Sequence, residues 1–302
     1  MFKIYRILFL IIIIQNVYAN MITPLPKKIK TDPKKVNLGR MLFFDPILSK
    51  NQTISCASCH NLASGGDDDR PVSIGINGKK GTVNAPTVFN AVFNFRQFWD
   101  GRAKDLQEQA AGPIENPVEM GNTFENLIKT LKKSRYKDIF YTIYKDGITK
   151  ENITDAIAEY EKTLITPNSP FDRYLRGDKD SISKEQQEGY ELFITKGCIS
   201  CHQGKNVGGN MYNKFGVIMS IDIKNLGRYN ITKNRQDKYF FRVPSLRNVA
   251  LTAPYFHNGS QKDLRQVILF MAKYQVGRPI TDEEVDKILS FLNSLTAKVD
   301  LK

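Results

Sequence analysis

The chain has 302 residues, 41% apolar and 25% charged, with four cysteines and a formal net charge of +13. This balance fits a folded, water-facing polypeptide long enough for two domains, and no segment after the first twenty residues is apolar enough to span a bilayer. The basic excess suits an acidic donor protein, an anionic membrane surface or simply a solvated lysine-rich face; nucleic acid is set aside because the chain reads as exported.

Export is read from the first element. Lys3 and Arg6 precede an apolar run, Ile7 to Ile14, and Val17-Tyr18-Ala19 offers a small-residue cleavage site. Residues 1–19 are therefore a signal peptide, and the alternative is a retained anchor. Cleavage removes Lys3 and Arg6 and takes the charge from +13 to +11. Thr23 to Asn37 reads as a Pro- and Lys-rich arm, and Leu38 to Asp45 as a short helix.

Next comes Cys56-Ala57-Ser58-Cys59-His60, which recurs as Cys198-Ile199-Ser200-Cys201-His202. Cys-x-x-Cys-His is the attachment signature of a c-type haem: two thiols form thioethers and the adjacent histidine ligates the iron. A Cys₄ zinc site or two disulfides would use the four thiols but leave both histidines unexplained. Two covalent haems imply the periplasm, where such haems are attached.

Asn61 to Val83 is rich in glycine and reads as a haem-wrapping loop, with Asp67-Asp68-Asp69 as solvated surface rather than a metal site. A helix covers roughly Asp105 to Ala111, and Pro113 and Pro117 are expected to break it, leaving Gly112 to Gly121 as a constrained loop. Further helices are expected from Thr123, over Asn152 to Leu164, from Ser183 into Cys198, and over Asp282 to Leu295, with a long polar loop from Gln203 to Phe240.

Four blocks repeat at one offset. Ala85-Pro86-Thr87-Val88-Phe89-Asn90 matches Val243-Pro244-Ser245-Leu246-Arg247-Asn248; Phe98-Trp99-Asp100-Gly101 matches Phe256-His257-Asn258-Gly259; Lys104-Asp105-Leu106 matches Lys262-Asp263-Leu264; and Thr123 matches Thr281, all 158 positions apart. The haem motifs are 142 apart, so the second haem loop is longer by the difference, 16. The fold class is mainly α: two cytochrome-c-like domains, residues 20–168 and 169–302, each with one covalent haem and long irregular loops.

Function depends on the sixth iron position. Met271, in the apolar run Val267 to Met271, is the leading ligand for the second haem, with Met211 and Met219 as rivals and ordinary core packing as the plain alternative. The first half has no obvious strong ligand besides Met120. It offers Gln109 and Glu119, an amide and a carboxylate suited to holding peroxide and moving its proton, or else two surface polar residues.

These residues resemble the bacterial dihaem cytochrome c peroxidase family over nearly the whole mature chain. The matching blocks include Ser55 to His60, Asn84-Ala85-Pro86-Thr87, Phe98 to Ala103, Gln109 to Pro113, Glu119-Met120, Val243 to Asn248 and Pro254 to Gly259. The resemblance implies a peroxidatic first haem and a high-potential second haem that takes electrons from a small donor such as a cytochrome c. It implies Glu119 and Gln109 as active-site residues, Met271 as axial ligand and Trp99 as an electron relay between the haems. It also implies a calcium ion between the domains, held by Asn84, Thr252 and Pro254, and a homodimer. A protein-modifying oxygenase of the same superfamily and a non-catalytic electron-transfer cytochrome are the alternatives; the first normally has a tyrosine where Met271 stands.

One departure is specific to this chain. Many members carry a histidine in the first haem loop that ligates the peroxidatic iron until the second haem is reduced. Ile76 occupies that place, and His257, the remaining histidine of three, belongs to the second-half block. The first haem is therefore expected to rest open.

Overall fold

Local capping chemistry sets where the helices begin. The computed structural model describes residues 21–299; the expected signal peptide lies outside them. Helix α1 (Pro33–Phe44) starts before Leu38 because Asp32 accepts from the Lys34 and Lys35 amides and Pro33 needs no amide partner in the first turn. Helix α2 (Leu106–Glu115) is capped by Asp105, which accepts from Glu108 N–H at 2.8 Å. It runs through Pro113, where a break was expected. Proline there removes only the bond to the Gln109 carbonyl, and the ladder resumes with Asn116 N–H on the Gly112 carbonyl at 2.9 Å.

Helices α3 (Phe124–Lys132), α4 (Tyr136–Ile143) and α5 (Lys150–Glu161) complete the first half. The second contains α6 (Pro170–Leu175), α7 (Lys184–Thr195), α8 (Tyr229–Thr232), α9 (Leu264–Phe270) and α10 (Asp282–Asn293). The long loop folds back through two three-residue strands, β1 (Tyr212–Lys214) and β2 (Phe240–Arg242), antiparallel with Tyr212 opposite Arg242.

The repeat in sequence is a repeat in backbone. α1 packs on α5 so closely that a Cβ on Gly39 would collide with the Ala156 carbonyl; α7 packs on α10 with Gly189 against the Lys287 carbonyl in the same way. Asn90 and Asn248 have φ of +61° and +59°, and Phe98 and Phe256 have +68° and +69°, each pair 158 positions apart. Isolated pairings Gln97–Ala103 and Tyr255–Gln261 close matching turns.

Each half has its own core: Leu42, Ile114, Leu127 and Phe140 in the first, Phe171, Phe193, Val285 and Phe291 in the second. The halves are laced together. Residue Ile22, read as part of the first unit, is buried in the second core, and Leu25 N–H donates to Asp172 at 3.0 Å. Asp172 also pairs with Arg247 at 2.9 Å, both side chains fully buried. Ser169 donates to the same carboxylate, and Arg247 Nε reaches the Lys205 carbonyl. Asp172→Asn strips the guanidinium of its counter-charge in a dry site. It is expected to cost about 3–5 kcal/mol of stability, read as a lower unfolding midpoint of the holoprotein at unchanged haem content.

Candidate active site: two unlike haem pockets

Each haem-attachment motif is a single 3₁₀ turn. The Cys59 and His60 amides both bond back to the Cys56 carbonyl, at 3.1 and 3.0 Å, and Cys201 and His202 do the same to Cys198. Two thiols and an imidazole are thereby gathered on one short arc. His60 Nδ1 lies 3.1 Å from the Gly66 carbonyl, so this nitrogen carries the proton and Nε2 is left to a metal. In the second half, a Cβ on Gly208 would lie 3.2 Å from His202 Nδ1 and overlap the Pro244 carbonyl, so glycine admits the ring. Burial lowers the pKa of both imidazoles, His202 to about 4, which keeps them neutral as iron ligation requires. Burial likewise raises the pKa of the Cys56, Cys59 and Cys198 thiols, the last up to about 11.

Cys56, Cys59 and His60 line one cavity; Cys201 and His202 line another. The two cysteine pairs face separate cavities, so neither a Cys₄ site nor a disulfide is formed among the described residues. Two thiols plus a neutral imidazole on the wall of a largely apolar cavity is the donor set a covalent haem needs.

The first cavity also contains Gln109 and Glu119. Gln109 comes from the middle of α2, Glu119 from the turn after it. Glu119 Oε1 accepts from Asn116 Nδ2 at 2.6 Å, while Asn116 Oδ1 takes the Val118 amide at 3.1 Å. Burial raises the Glu119 pKa; the Asn116 hydrogen bond and the Arg102 charge oppose it. The Glu119 carbonyl accepts from Ile76 N–H at 2.7 Å, and Gly75 lies so flat on the Val118–Glu119 backbone that a Cβ would collide with both carbonyls. Ile76 is buried and packs on Gly121. The segment that lacks the histidine is thus a brace for Glu119.

Sequence reasoning missed Asn116 and Glu161. Asn116 sits in an Asn-Pro turn three residues before Glu119, the signal that could have found it. Glu161 closes α5, lines the first cavity, and has a buried Oε2 without a hydrogen-bond partner among the described residues; burial pushes its pKa up to about 8. Met120 touches the same cavity but belongs to the first core. Asn116→Leu keeps the volume and removes the donor to Glu119. Turnover is expected to fall about 10²-fold with haem content unchanged, measured as kcat.

The second cavity is different in kind. Met271 shares it with His202, at the start of a π-helical turn, Met271–Val276, that extends α9. Met211 and Met219 are not on its wall, and Met219 is 44% exposed. Trp99 lines this cavity rather than the first, donating its indole N–H to the Asn84 carbonyl at 2.9 Å and standing edge-on to His257. Asn84, Thr252 and Pro254 lie on the same wall. The Asn84 amide nitrogen donates to the Arg70 carbonyl at 2.9 Å, which turns the acceptor Oδ1 away from it. Oxygen-only donors of this kind suit a hard cation.

The chain matches a family model for di-haem cytochrome c peroxidases over residues 33–180 and one for cytochrome c over residues 186–296. It is 50% identical over 284 residues to the cytochrome c peroxidase Ccp of Escherichia coli K12, covering 91% of this chain and 60% of that longer protein. It is 49% identical to the cytochrome c551 peroxidase of Nitrosomonas europaea, covering 86% and 79% of the two chains. Among solved structures, a MauG-like protein associated with microbial copper homeostasis superposes with a TM-score of 0.80 at 27% identity, over 91% of this chain and 95% of the other. With two haem-attachment turns, two unlike cavities and these similarities along its length, the chain belongs to the di-haem cytochrome c peroxidase family.

Proposed function

We propose that this protein reduces hydrogen peroxide to water in the periplasm, with electrons from a small ferrocytochrome c or a similar donor. The observation that carries the reading is the contrast between the pockets: an amide and a carboxylate face the His60 cavity, and a thioether faces the His202 cavity.

Haem attached at Cys56 and Cys59 supplies the redox-active iron to which peroxide binds. The overall reaction takes up two protons and two electrons per peroxide and releases two waters. Burial raises the Glu119 pKa; the protonated carboxyl gives its proton to the far peroxide oxygen, and the carboxylate so formed takes the proton of the near oxygen, a net transfer from near to far. The Gln109 amide donates a hydrogen bond that holds the peroxide in line. Asn116 fixes the Glu119 carboxylate, and the Ile76 amide fixes its backbone. Met271 stabilises the ferrous state in the second pocket and so makes that pocket the entry point for electrons. Trp99 lies against the second cavity and relays electrons toward the first. Asn84, Thr252 and Pro254 hold calcium between the halves, and the working unit is a homodimer. Among the described residues no helix is long and apolar enough to cross a membrane.

The test is peroxide-dependent oxidation of a reduced small cytochrome c by the holoprotein, with calcium present. Donor oxidation that requires peroxide supports the reading. If cyanide and peroxide both leave the spectrum unchanged, both irons are closed and the protein is an electron-transfer cytochrome.

A further inference from the structure

Two carboxyls line the first haem cavity, Glu119 and Glu161, and the peroxide chemistry needs only the first. Glu161 is the last residue of α5 and is 5% exposed. Glu119 is docked on the Asn116 amide, whereas the buried Glu161 Oε2 meets no hydrogen-bond donor among the described residues. No cation answers it there either. α5 packs on α1 and α2. On α1, Lys34 and Arg40 are exposed and Lys35 pairs with Asp155. On α2, Glu108 is exposed and Glu115 pairs with Lys150. Lys162, next to Glu161 in the chain, pairs with Glu159. The carboxyl also stands at the C-terminal end of its helix, where the helix dipole is negative and disfavours an anion. Burial and the helix end thus act together to keep Glu161 protonated at neutral pH.

What Glu161 faces is a point of haem attachment. An ionised Glu161 is felt by the Cys56 thiol, as an ionised Glu119 is by Cys59. His60 answers instead to the Gly66 carbonyl and Asp68. A charge beside a thioether acts on the redox balance of the haem it tethers: an anion in a dry pocket stabilises the ferric form, and a neutral acid does not. We propose that Glu161 couples a proton to the electron taken up by the first haem. Glu161 takes one proton from water as an electron from the donor converts ferric to ferrous iron, and gives it back when the iron is reoxidised. As a neutral acid it eases entry of the electron at neutral pH, and as an anion it opposes that entry in alkali. Glu161 tunes the iron and is given no contact with peroxide. The inference rests on haem attachment at Cys56 and Cys59, and not on peroxide being the substrate.

The test is a potentiometric titration of both haems in the holoprotein from mildly acid to mildly alkaline pH, for the parent, Glu161→Gln and Glu119→Gln. No peroxide is present, so the outcome is independent of the peroxidase reading. In the parent and in Glu119→Gln the potential of the first haem is expected to fall on the alkaline side, by up to about 59 mV per pH unit for one proton per electron. In Glu161→Gln that fall is lost, while the second haem's potential is unchanged. A fall in Glu161→Gln as steep as the parent's, or a parent potential that does not move with pH, overturns the proposal. So does a fall lost in Glu119→Gln and kept in Glu161→Gln, which assigns the proton to Glu119. Glutamine keeps the volume of the buried acid, so Glu161→Gln is expected to fold and to bind both haems. If it does not, the redox difference infrared spectrum of Glu119→Gln decides: a carboxylic-acid band that grows on reduction at alkaline pH supports the proposal, and the absence of one overturns it.

Discussion

Glu119→Gln is expected to lower peroxide turnover by about 10²–10⁴-fold, with both haems still attached and the second haem's spectrum unchanged. The substitution keeps size and hydrogen-bonding capacity but removes the proton. Because Asn116 donates to Oε1, the introduced amide can still dock through its own oxygen, and the loss is one of chemistry rather than placement. A related pH signature is expected of the parent protein. Burial raises the Glu119 pKa, so the protonated form persists above the usual glutamate range and is lost as pH rises through the raised value. Turnover limited by this proton declines on that alkaline side, and Glu119→Gln removes the decline along with the rate. Retained turnover in the variant would take Glu119 out of the mechanism.

Met271→Ala is the second large effect. Removing the thioether destabilises the ferrous state, and the potential of the second haem is expected to fall by a sizeable part of the roughly 0.8 V that axial ligands span. Donor-supported turnover should then be abolished while the first pocket still reacts with peroxide. The separation matters because it distinguishes loss of electron entry from loss of peroxide chemistry. An unchanged potential would return the ligand role to Met211 or Met219, although neither lines the His202 cavity.

The parts of this molecule readable from sequence are those with local causes. Two Cys-x-x-Cys-His runs each make a self-contained turn, and a 158-residue offset reappears as matched left-handed residues at Asn90 and Asn248. Ser183 and Thr281 announce their helices by capping boxes. What was not readable depends on partners far along the chain. α2 continues past Pro113 because the missing bond is one rung, a balance that proline composition does not report. Ile22 crosses to the second core because Asp172 and Arg247 anchor the segment after it. Asp67, in a run whose composition reads as solvated surface, is buried, and Gly65 just before it meets the Leu251 carbonyl, 186 positions further along, a contact no local pattern reports. In the first cavity, Gln109 and Glu119 were visible as residue types, but the brace formed by Gly75, Ile76 and Asn116 is a three-dimensional contact.

That brace makes the missing histidine consequential. Ile76 is apolar, buried and bonded through its amide to the Glu119 carbonyl, so it holds the Glu119 turn and offers no ligand to an iron. An open, peroxide-reactive iron at His60, even with both haems oxidised, is therefore the expected state of the holoprotein. The direct test is EPR of the fully oxidised holoprotein with calcium, followed by one equivalent of peroxide added to the oxidised and half-reduced forms. A high-spin signal from the first haem, and immediate reaction in both forms, is the predicted result. A low-spin first haem that reacts only after the second is reduced would contradict it, and would mean that Met120 or a rearranged loop around Ile76 closes the iron.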